Sequence, residues 1–396
     1  MVDNGDGFLK GITLNVILLG LVSLFTDLSS QMVFPLLPLF LTTSLGANAV
    51  IVGLVEGAAE STASLLKVFS GFWSDKMGRR KPFVLSGYGI SAVIKPLFAF
   101  ATVWQTVVVL RIIERIGKGI RNAPRDAIVA ESCDDDCRGK AYGIQRSMDG
   151  IGSVLGAVMA FLLFPLFGFK NVFLIAAIPA FIAVFFILFV REKRSECEKA
   201  REQSGKTGLQ VSFKKLPVKL RLFIVIASIF TLGNVGYAFL LLRAIDLGFD
   251  TGNAIMLYAF FYVIYTLLII PCGMISDRIG RRPVLILGYT IFGLLCLGLI
   301  LVSTLYQIAI MFAVYGIFYA LTDGVQRAFV VDLSPIDLKG TSLGTFHAAV
   351  GITALPAGII AGSLWDKISP EATFLFGFTM SFIAVVLFLL LGEKSD

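Results

Sequence analysis

Long apolar runs separated by short polar stretches dominate the chain between residues 13 and 391. A helix needs about 20 apolar residues to cross the hydrocarbon core of a bilayer. Twelve runs of this kind lie at residues 13–41, 48–74, 83–103, 106–128, 140–165, 170–190, 219–245, 253–276, 283–303, 306–330, 341–365 and 371–391. Because backbone groups in lipid must be satisfied within their own segment, these runs predict helices rather than barrel strands.

Composition agrees with this pattern. The chain has 396 residues, of which 57% are hydrophobic and 15% are charged, whereas soluble proteins carry roughly 25% charged residues. The twelve runs and their connections occupy almost the whole length, which leaves no room for a folded soluble domain. We therefore expect an all-α integral membrane protein with 12 transmembrane helices, and we do not expect an enzyme.

Basic residues are concentrated in loops on one side of the predicted helices. These are Lys76, Arg79, Arg80 and Lys81 after the second run, and Arg278, Arg281 and Arg282 after the eighth. Loops 43–47 and 303–306, on the other side, have no charge. The positive-inside rule then predicts cytoplasmic N- and C-termini in a multi-pass protein of the cytoplasmic membrane. The net charge of +7 is explained by these loops and does not require a nucleic-acid partner.

The two halves of the chain repeat each other. Asp75 and Asp277 occupy equivalent positions 202 residues apart, and Glu131 matches Asp332 at an offset of 201. Between the halves, residues 191–221 hold ten Lys and Arg against four Asp and Glu, which is typical of a solvated linker. We predict an N-terminal six-helix bundle at 1–190, a cytoplasmic linker at 191–218 and a C-terminal six-helix bundle at 219–396. Duplication of six helices is characteristic of secondary transporters.

One motif connects the chain to a known family. Gly71-x-x-x-Asp75-Lys-x-Gly78-Arg79-Arg80-Lys81 resembles the signature that the major facilitator superfamily has between its second and third helices. A degenerate copy containing Asp277, Gly280 and Arg281 lies where that family has one, between the eighth and ninth helices. The resemblance implies two pseudo-symmetric six-helix bundles that move about a central site without ATP.

The chemistry of the motif fits a gate. Gly78 permits a left-handed turn in a short loop, and Arg79 is expected to pair with Asp75 or with Glu131. Such contacts could close one side of a transporter in one state and break in the other. The alternative is that these charges only set the topology. The predicted gating residues are Gly71, Asp75, Gly78, Arg79, Glu131, Arg138, Asp277, Gly280 and Arg281.

Ionisable residues within the predicted spans form a second set of candidates, because a charge inside the membrane is costly and usually functional. They are Asp27, Glu56, Glu60, Arg111, Glu114, Arg115, Arg146, Asp149, Asp323, Arg327 and His347. Asp323 and Arg327 are one helical turn apart and should pair. His347 is equivalent to Arg146 in the repeat, so both could face a central cavity, although packing of His347 beside Phe346 is the alternative.

The fourth span is the most charged of the twelve. Arg111, Glu114, Arg115 and Lys118 share one stripe of a helix, and that stripe cannot face lipid. Arg115 lies near the middle of its span, at the depth of Asp27 and Glu60. The spacing predicts a buried polar cluster between the first, second and fourth spans.

Proton coupling is the expected use of the buried carboxylates, because burial and a nearby arginine shift proton affinity in opposite directions. The candidates are Asp27, Glu56, Glu60, Glu114 and Asp149, with Glu60 and Asp27 first on depth. Arg115-x-x-x-Gly119 resembles the fourth-span motif of proton-coupled antiporters in the superfamily. Gly152 and Gly156 resemble the fifth-span antiporter signature, whose proline is replaced here by Ala157. Permanent ion pairs, and glycines that only allow close packing, are the alternatives.

These observations predict proton-coupled efflux of a small organic solute by alternating access. The proton gradient would drive it, with no cofactor and no metal site. The expected partners are the solute, protons and the lipid bilayer, and the expected state is a monomer. Two alternatives stay open: proton-coupled uptake of an organic anion or metal chelate, and a membrane receptor or scaffold that does not transport.

Overall fold

The structure is a computed structural model that describes residues 13–133, 137–192, 213, 216–335 and 338–393. Within these ranges the regular elements are all helical. Most of the predicted linker at 191–218, and the ends of both termini, lie outside the described residues. The cytoplasmic placement of the linker and termini therefore stays a prediction.

The first half of the chain forms seven α-helices and two short helical turns. They are α1 (Leu14–Val33), α2 (Leu36–Leu39), a π-helical turn (Phe40–Ser44), α3 (Ala49–Met77), α4 (Lys81–Leu97), a 3₁₀ turn (Phe98–Phe100), α5 (Trp104–Glu131), α6 (Arg138–Ile175) and α7 (Ala177–Phe189). The break between α1 and α2 lies at Pro35, which has no N–H for the helical ladder.

The second half continues with seven α-helices. They are α8 (Val218–Gly233), α9 (Tyr237–Asp246), α10 (Thr251–Ile279), α11 (Arg281–Leu301), α12 (Leu305–Asp332), α13 (Lys339–Lys367) and α14 (Pro370–Glu393). Residues 234–236 interrupt the helical backbone between α8 and α9, so these two helices together account for the predicted span at 219–245.

The described helices include 10 segments that are long and apolar enough to cross a membrane. Two features explain why this number is smaller than the twelve predicted spans. Residues 139–189 form one segment of 51 residues, but Gly168 has a φ of 67° and non-helical geometry, which separates the fifth and sixth predicted spans. The helix α5 is 28 residues long but carries too many charges to be recognised by hydropathy.

The internal repeat is visible in the helices themselves. The helices α3 and α10 both contain 29 residues and begin at residues 49 and 251. The helices α5 and α12 both contain 28 residues and begin at 104 and 305. Offsets of 202 and 201 therefore relate whole helices as well as the short motifs from which the repeat was predicted.

The chain divides into two compact units. The first contains Met1–Phe34, Thr62–Thr102 and Val109–Gln210, and the second contains Pro35–Ser61, Val103–Val108 and Val211–Asp396. The second unit thus includes a segment that precedes the linker in sequence. The predicted bundle boundaries at residues 190 and 219 stay a prediction.

Glycines allow a close helix contact in the first unit, where α6 packs on α1. A Cβ atom added to Gly152 would lie 2.2 Å from the carbonyl oxygen of Leu24. A Cβ atom added to Gly156 would lie 2.3 Å from the carbonyl oxygen of Leu28. Both distances are far below van der Waals contact, so only glycine fits at these positions. The packing interpretation of the two glycines is confirmed.

Candidate functional site

The loop between α3 and α4 holds a cluster of charges. Gly78 has a φ of 63°, which confirms the predicted left-handed turn. Two residues later, Arg80 donates to Asp75 Oδ1 from Nε at 3.1 Å and from Nη2 at 2.8 Å. The Nη1 atom of Arg80 forms an ion pair with Glu131, at the end of α5. The cluster therefore links α3, α4 and α5 at one end of the first unit.

The arginine in this cluster is not the predicted one. Arg79 was expected to pair with Asp75 or Glu131, but its side chain is exposed, whereas Arg80 is only 6% exposed and makes both pairs. Because the chain reverses at Gly78, Arg79 points outward and Arg80 returns towards the end of α3. The predicted pairing of Arg79 is wrong.

The second copy of the motif has an equivalent cluster. Arg281 Nη1 lies 2.9 Å from Asp277 Oδ1, and Arg281 Nε lies 2.5 Å from Asp332 Oδ2. At the offset of 202 Arg281 matches Arg79, but at the offset of 201 that relates Glu131 to Asp332 it matches Arg80. The one-residue difference between the two offsets was therefore the signal that could have identified Arg80.

Glu192 is a member of the first cluster that sequence reasoning missed. Its carboxylate accepts hydrogen bonds from the backbone N–H groups of Arg80 and Lys81 at the start of α4. The Nζ atom of Lys81 donates to the carbonyl oxygens of Leu188 and Val190, at 2.8 and 2.7 Å. An acidic side chain at a helix N-terminus is stabilised by the helix dipole. Glu192 was not recognised because its position belonged to the predicted solvated linker.

Three of the four residues in the predicted charged stripe of α5 are buried, and the fourth, Lys118, is half-buried. Arg111 is 0% exposed, Glu114 is 1% exposed and Arg115 is 5% exposed. Glu114 Oε2 lies 3.3 Å from Arg111 Nη1 and 3.6 Å from Arg115 Nε. Both guanidinium groups also lie over the ring of Phe34, at 4.1 and 4.8 Å from its centroid. One carboxylate and one aromatic ring therefore accommodate two buried arginines.

The helices that complete this cluster differ from the predicted set. Glu60 of α3 was expected to be buried in it, but its side chain is exposed. Lys95 of α4 is 1% exposed, and its Nζ donates to Ser29 Oγ and Ser30 Oγ of α1, both at 2.9 Å. The cluster thus includes the third span, which the sequence did not predict, and Glu60 is not buried in it. Depth along a helix, on which Glu60 was chosen, does not determine which side of the helix faces protein.

Two more arginines, Arg121, which is buried, and Arg125, which is half-buried, lie further along α5. Arg121 Nη1 donates to Ser91 Oγ at 2.6 Å, and its guanidinium lies 4.3 Å from the ring centroid of Tyr88. Arg125 Nη2 lies 2.9 Å from Asp126 Oδ1. Both residues were visible in the sequence as charges within the fourth span, but the predicted stripe ended at Lys118.

The other predicted carboxylates of the first half are only partly buried. Asp27 and Glu56 are half-buried. Asp149 lies 3.7 Å from Arg146 Nη1, whose side chain is 54% exposed. The side chain of Arg138 lies outside the described residues.

In the second unit, polar groups line α10 and α12. Arg327 Nη2 lies 2.7 Å from Asp323 Oδ2, which confirms the predicted pair. The hydroxyl of Tyr265 donates to the same oxygen at 3.3 Å. Tyr262 and Tyr319 have ring centroids 5.9 and 5.2 Å from that of Tyr265. This aromatic cluster was missed, although Tyr258, Tyr262 and Tyr265 are spaced so as to share one face of a helix.

His347 is half-buried beside Phe346, with ring centroids 5.5 Å apart. This contact is the packing beside Phe346 that the sequence offered as the alternative to a cavity-facing histidine. Among the described residues, no group of three or more His, Cys, Asp or Glu side chains is arranged to hold a metal ion.

Asp366 forms a contact within the second unit that sequence reasoning also missed. Its two carboxylate oxygens accept from the backbone N–H groups of Ala49 and Val50 at the start of α3, at 3.0 and 2.8 Å. Beside this cap, a Cβ atom on Gly358 would lie 2.1 Å from the carbonyl oxygen of Gly53. The helices α3 and α13 therefore meet backbone to backbone. No motif in the sequence pairs Asp366 with a helix start more than 300 residues away.

Buried, hydrogen-bonded charges in membrane-spanning helices, and charge clusters at helix ends, are arrangements that can bind ions and change partners.

Comparison with known proteins identifies the family. The model described as Major Facilitator Superfamily matches residues 19–257 and 222–396. The uncharacterized MFS-type transporter MJ1317 of Methanocaldococcus jannaschii is 41% identical over 388 residues, covering 96% of this chain and 95% of that protein. Multidrug resistance protein MdtG of Escherichia coli is 25% identical over 330 residues, covering 81% of this chain and 80% of that protein.

Solved structures agree on the fold. The nucleoside transporter NupG superposes with a TM-score of 0.78 at 16% identity, covering 97% of this chain and 100% of that chain. The human organic anion transporter MFSD10 superposes with a TM-score of 0.65 at 16% identity, covering 94% and 98%. The all-α membrane fold, the repeated motif and the match along most of the sequence lead to one conclusion: the chain belongs to the major facilitator superfamily, a family of multi-pass membrane transporters.

Proposed function

We propose that the protein exports a small organic solute from the cytoplasm in exchange for protons. The observation that carries the proposal is the buried cluster formed by Lys95, Arg111, Glu114 and Arg115. Each of these residues is at most 5% exposed. Charged groups at membrane depth cost several kcal/mol or more, and those that persist usually serve an ion or substrate pathway.

The cluster is larger than structural needs explain. One carboxylate, Glu114, faces two guanidinium groups, and its Oε1 atom has no hydrogen-bond partner among the described residues. A buried ion pair kept only for stability could be replaced by apolar residues at little cost. Incomplete pairing of this buried carboxylate supports a role in which Glu114 exchanges partners during a transport cycle.

Contacts at the two ends of α3 support alternating access. At its C-terminal end, Asp75 pairs with Arg80, which also pairs with Glu131. At its N-terminal end, Asp366 caps the helix. Alternating access requires contacts of this kind that break in turn. The positive-inside rule assigns the Asp75 end, and both termini, to the cytoplasmic side.

The relative named multidrug resistance protein MdtG supports export over uptake, and an organic solute over an inorganic ion. On this proposal the proton gradient is the only energy source, the working unit is a monomer, and no bound cofactor takes part.

The experiment is transport by the purified full chain in proteoliposomes, with ethidium as the probe and with valinomycin and potassium fixing the membrane potential. Exchange for protons predicts that ethidium accumulates when the lumen is acidic relative to the bath. Accumulation only with an alkaline lumen would show uptake together with protons and contradict export. If neither gradient moved ethidium or the organic anion fluorescein beyond the rate of protein-free liposomes, the transporter proposal would fail in favour of a scaffold.

A further inference from the structure

Lys95 is a buried cation whose hydrogen-bond partners carry no charge. Its Nζ donates to Ser29 Oγ and Ser30 Oγ at 2.9 Å and to the carbonyl oxygen of Thr26 at 3.4 Å. Among the described residues, no carboxylate oxygen lies within ion-pair distance of Nζ. Buried lysines are normally paired with an anion, so this environment does not require Lys95 to stay charged.

The charged groups around Lys95 are mostly positive. They lie on two helices: Asp27 on α1, and Arg111, Glu114, Arg115 and Arg121 on α5. The helix α7 has no ionisable residue. Lys95 and three arginines therefore face two carboxylates, so the cluster has an excess of positive charge. Loss of one proton would reduce this excess.

Only one of these cations can lose its proton readily. A guanidinium group stays protonated in proteins, whereas a lysine ammonium becomes neutral when its surroundings disfavour the charge. Glu114 faces both Arg111 and Arg115, two cations that stay charged, at 3.3 and 3.6 Å. Lys95 is therefore the group in the cluster best placed to change its protonation state.

The hydroxyl partners can serve both forms of Lys95. As an ammonium, Nζ donates three hydrogen bonds, to Ser29, Ser30 and the Thr26 carbonyl. As an amine, Nζ donates two and must accept one. The hydroxyl of Ser29 already donates to the carbonyl oxygen of Ala176 at 2.6 Å. The hydroxyl of Ser30 donates to no described residue, so it can rotate and donate to the amine.

We propose that Lys95 is the proton-carrying residue of the transport cycle, in place of the carboxylates that the sequence suggested. The proton leaves Nζ for water on the cytoplasmic side, which converts the ammonium to an amine, and a proton from water on the opposite side restores the ammonium. The change replaces one of the bonds that Lys95 donates to α1 with one that it accepts from α1. This proposal rests on the proposed proton coupling and assigns the residue responsible for it.

Protonation of Lys95 can be measured without a substrate. The full chain is labelled with ¹³C at lysine Cε, and the NMR signal absent from Lys95→Met identifies the residue. Lys170→Met, which removes an exposed lysine, is the matched control and should remove a different signal. We expect the Lys95 signal to shift between about pH 5 and about pH 8, the range in which biological pH switches operate. A Lys95 signal that stays in the ammonium position throughout this range would overturn the proposal.

Transport supplies the second test, with Lys95→Arg as the central variant because it keeps the charge but cannot release the proton. We expect ethidium accumulation driven by a pH gradient to fall about a hundredfold, the scale on which a positioned proton carrier acts. Exchange of ethidium at equal pH should continue. Proton-driven accumulation at the wild-type rate in Lys95→Arg would overturn the proposal, and if this variant fails to fold, the NMR titration of the wild type decides. Absence of ethidium transport by the wild type would contradict the proposed function and leave the titration as an independent result.

Discussion

The composition of the charge cluster between α3, α4 and α5 depends on single residues, and neighbouring residues of the same type are not equivalent in it. Arg79 and Arg80 have the same chemistry and adjacent positions, yet only Arg80 returns to Asp75 and Glu131 after the turn at Gly78. Sequence identified the motif, its turn and its acidic partners. The backbone direction after a left-handed residue, which assigns one arginine to the cluster and the other to solvent, is a property of the folded loop.

Replacement of Arg80 should therefore destabilise the protein, whereas replacement of Arg79 should not. Replacement of Arg80 by alanine removes charged hydrogen bonds from Asp75 and from Glu131, whose side chain is only 15% exposed. We expect the free energy of unfolding to fall by about 2 kcal/mol, measured as a lower thermal unfolding midpoint in detergent. Arg79→Ala, the matched control, should change stability by less than about 0.5 kcal/mol. Equal effects of the two replacements would contradict the assignment.

Glu114 and Glu60 allow a second comparison of two residues of the same type, one buried and one exposed. Glu114→Gln removes a carboxylate that faces two buried guanidinium groups, which should destabilise the protein by about 3 kcal/mol. Glu60→Gln changes an exposed side chain and should have little effect on thermal unfolding. A tolerated Glu114→Gln would mean that the arginines are neutralised by another group.

At the scale of helices, the sequence pattern predicted properties that extend along a whole helix, such as its apolar length or its charged face. The apolar runs located the spans, and the charges of α5 correctly excluded that face from lipid. The partner of each face was less predictable, because a helix presents several faces and periodicity does not say which neighbour covers which. Lys95 on α4, rather than Glu60 on α3, completes the buried cluster for this reason.

The contact between α1 and α6 gives a prediction at this scale. Gly152→Ala places a methyl group 2.2 Å from the carbonyl oxygen of Leu24, so the helices must separate. We expect a loss of about 1–3 kcal/mol, as for overpacked cores, seen as a lower unfolding midpoint. Gly89→Ala in α4 is the control, since an added Cβ there meets nothing within 4 Å, and better helix propensity should leave stability unchanged or slightly higher. Retention of wild-type stability by Gly152→Ala would refute the close contact.

At the scale of the whole molecule, the repeat relates helices of equal length at offsets of 201 and 202, but the compact units do not follow it. Residues 35–61 belong to the second unit, where Gly53 meets Gly358 and Asp366 caps α3. These contacts join segments that are distant in sequence, and a transporter that alternates between states must form and break contacts of this kind.

The contact of Gly53 with Gly358 should govern a conformational equilibrium. Spin labels at Asn48→Cys and Lys367→Cys, both exposed positions in a background without the native cysteines, report the separation of α3 from α13. Gly358→Ala introduces a Cβ atom 2.1 Å from a carbonyl oxygen and should increase the population with a long distance, because the present contact becomes strained. Gly340→Ala on the same helix, where nothing lies within 4 Å, should leave the distance distribution unchanged. A distribution unaffected by Gly358→Ala would show that the contact does not limit the motion.

Sequence alone determined the membrane class, the helical spans, the internal duplication and the family motif. These properties depend on the length of apolar runs and on local turn chemistry, and a short stretch of sequence contains both. Only the tertiary structure decided that Arg80 completes the loop cluster, that Lys95 is buried against hydroxyl groups of α1, and that Asp366 caps α3. The physical reason is that hydrogen bonds and burial depend on which helix faces meet, and residues that meet in space can be hundreds of positions apart in sequence.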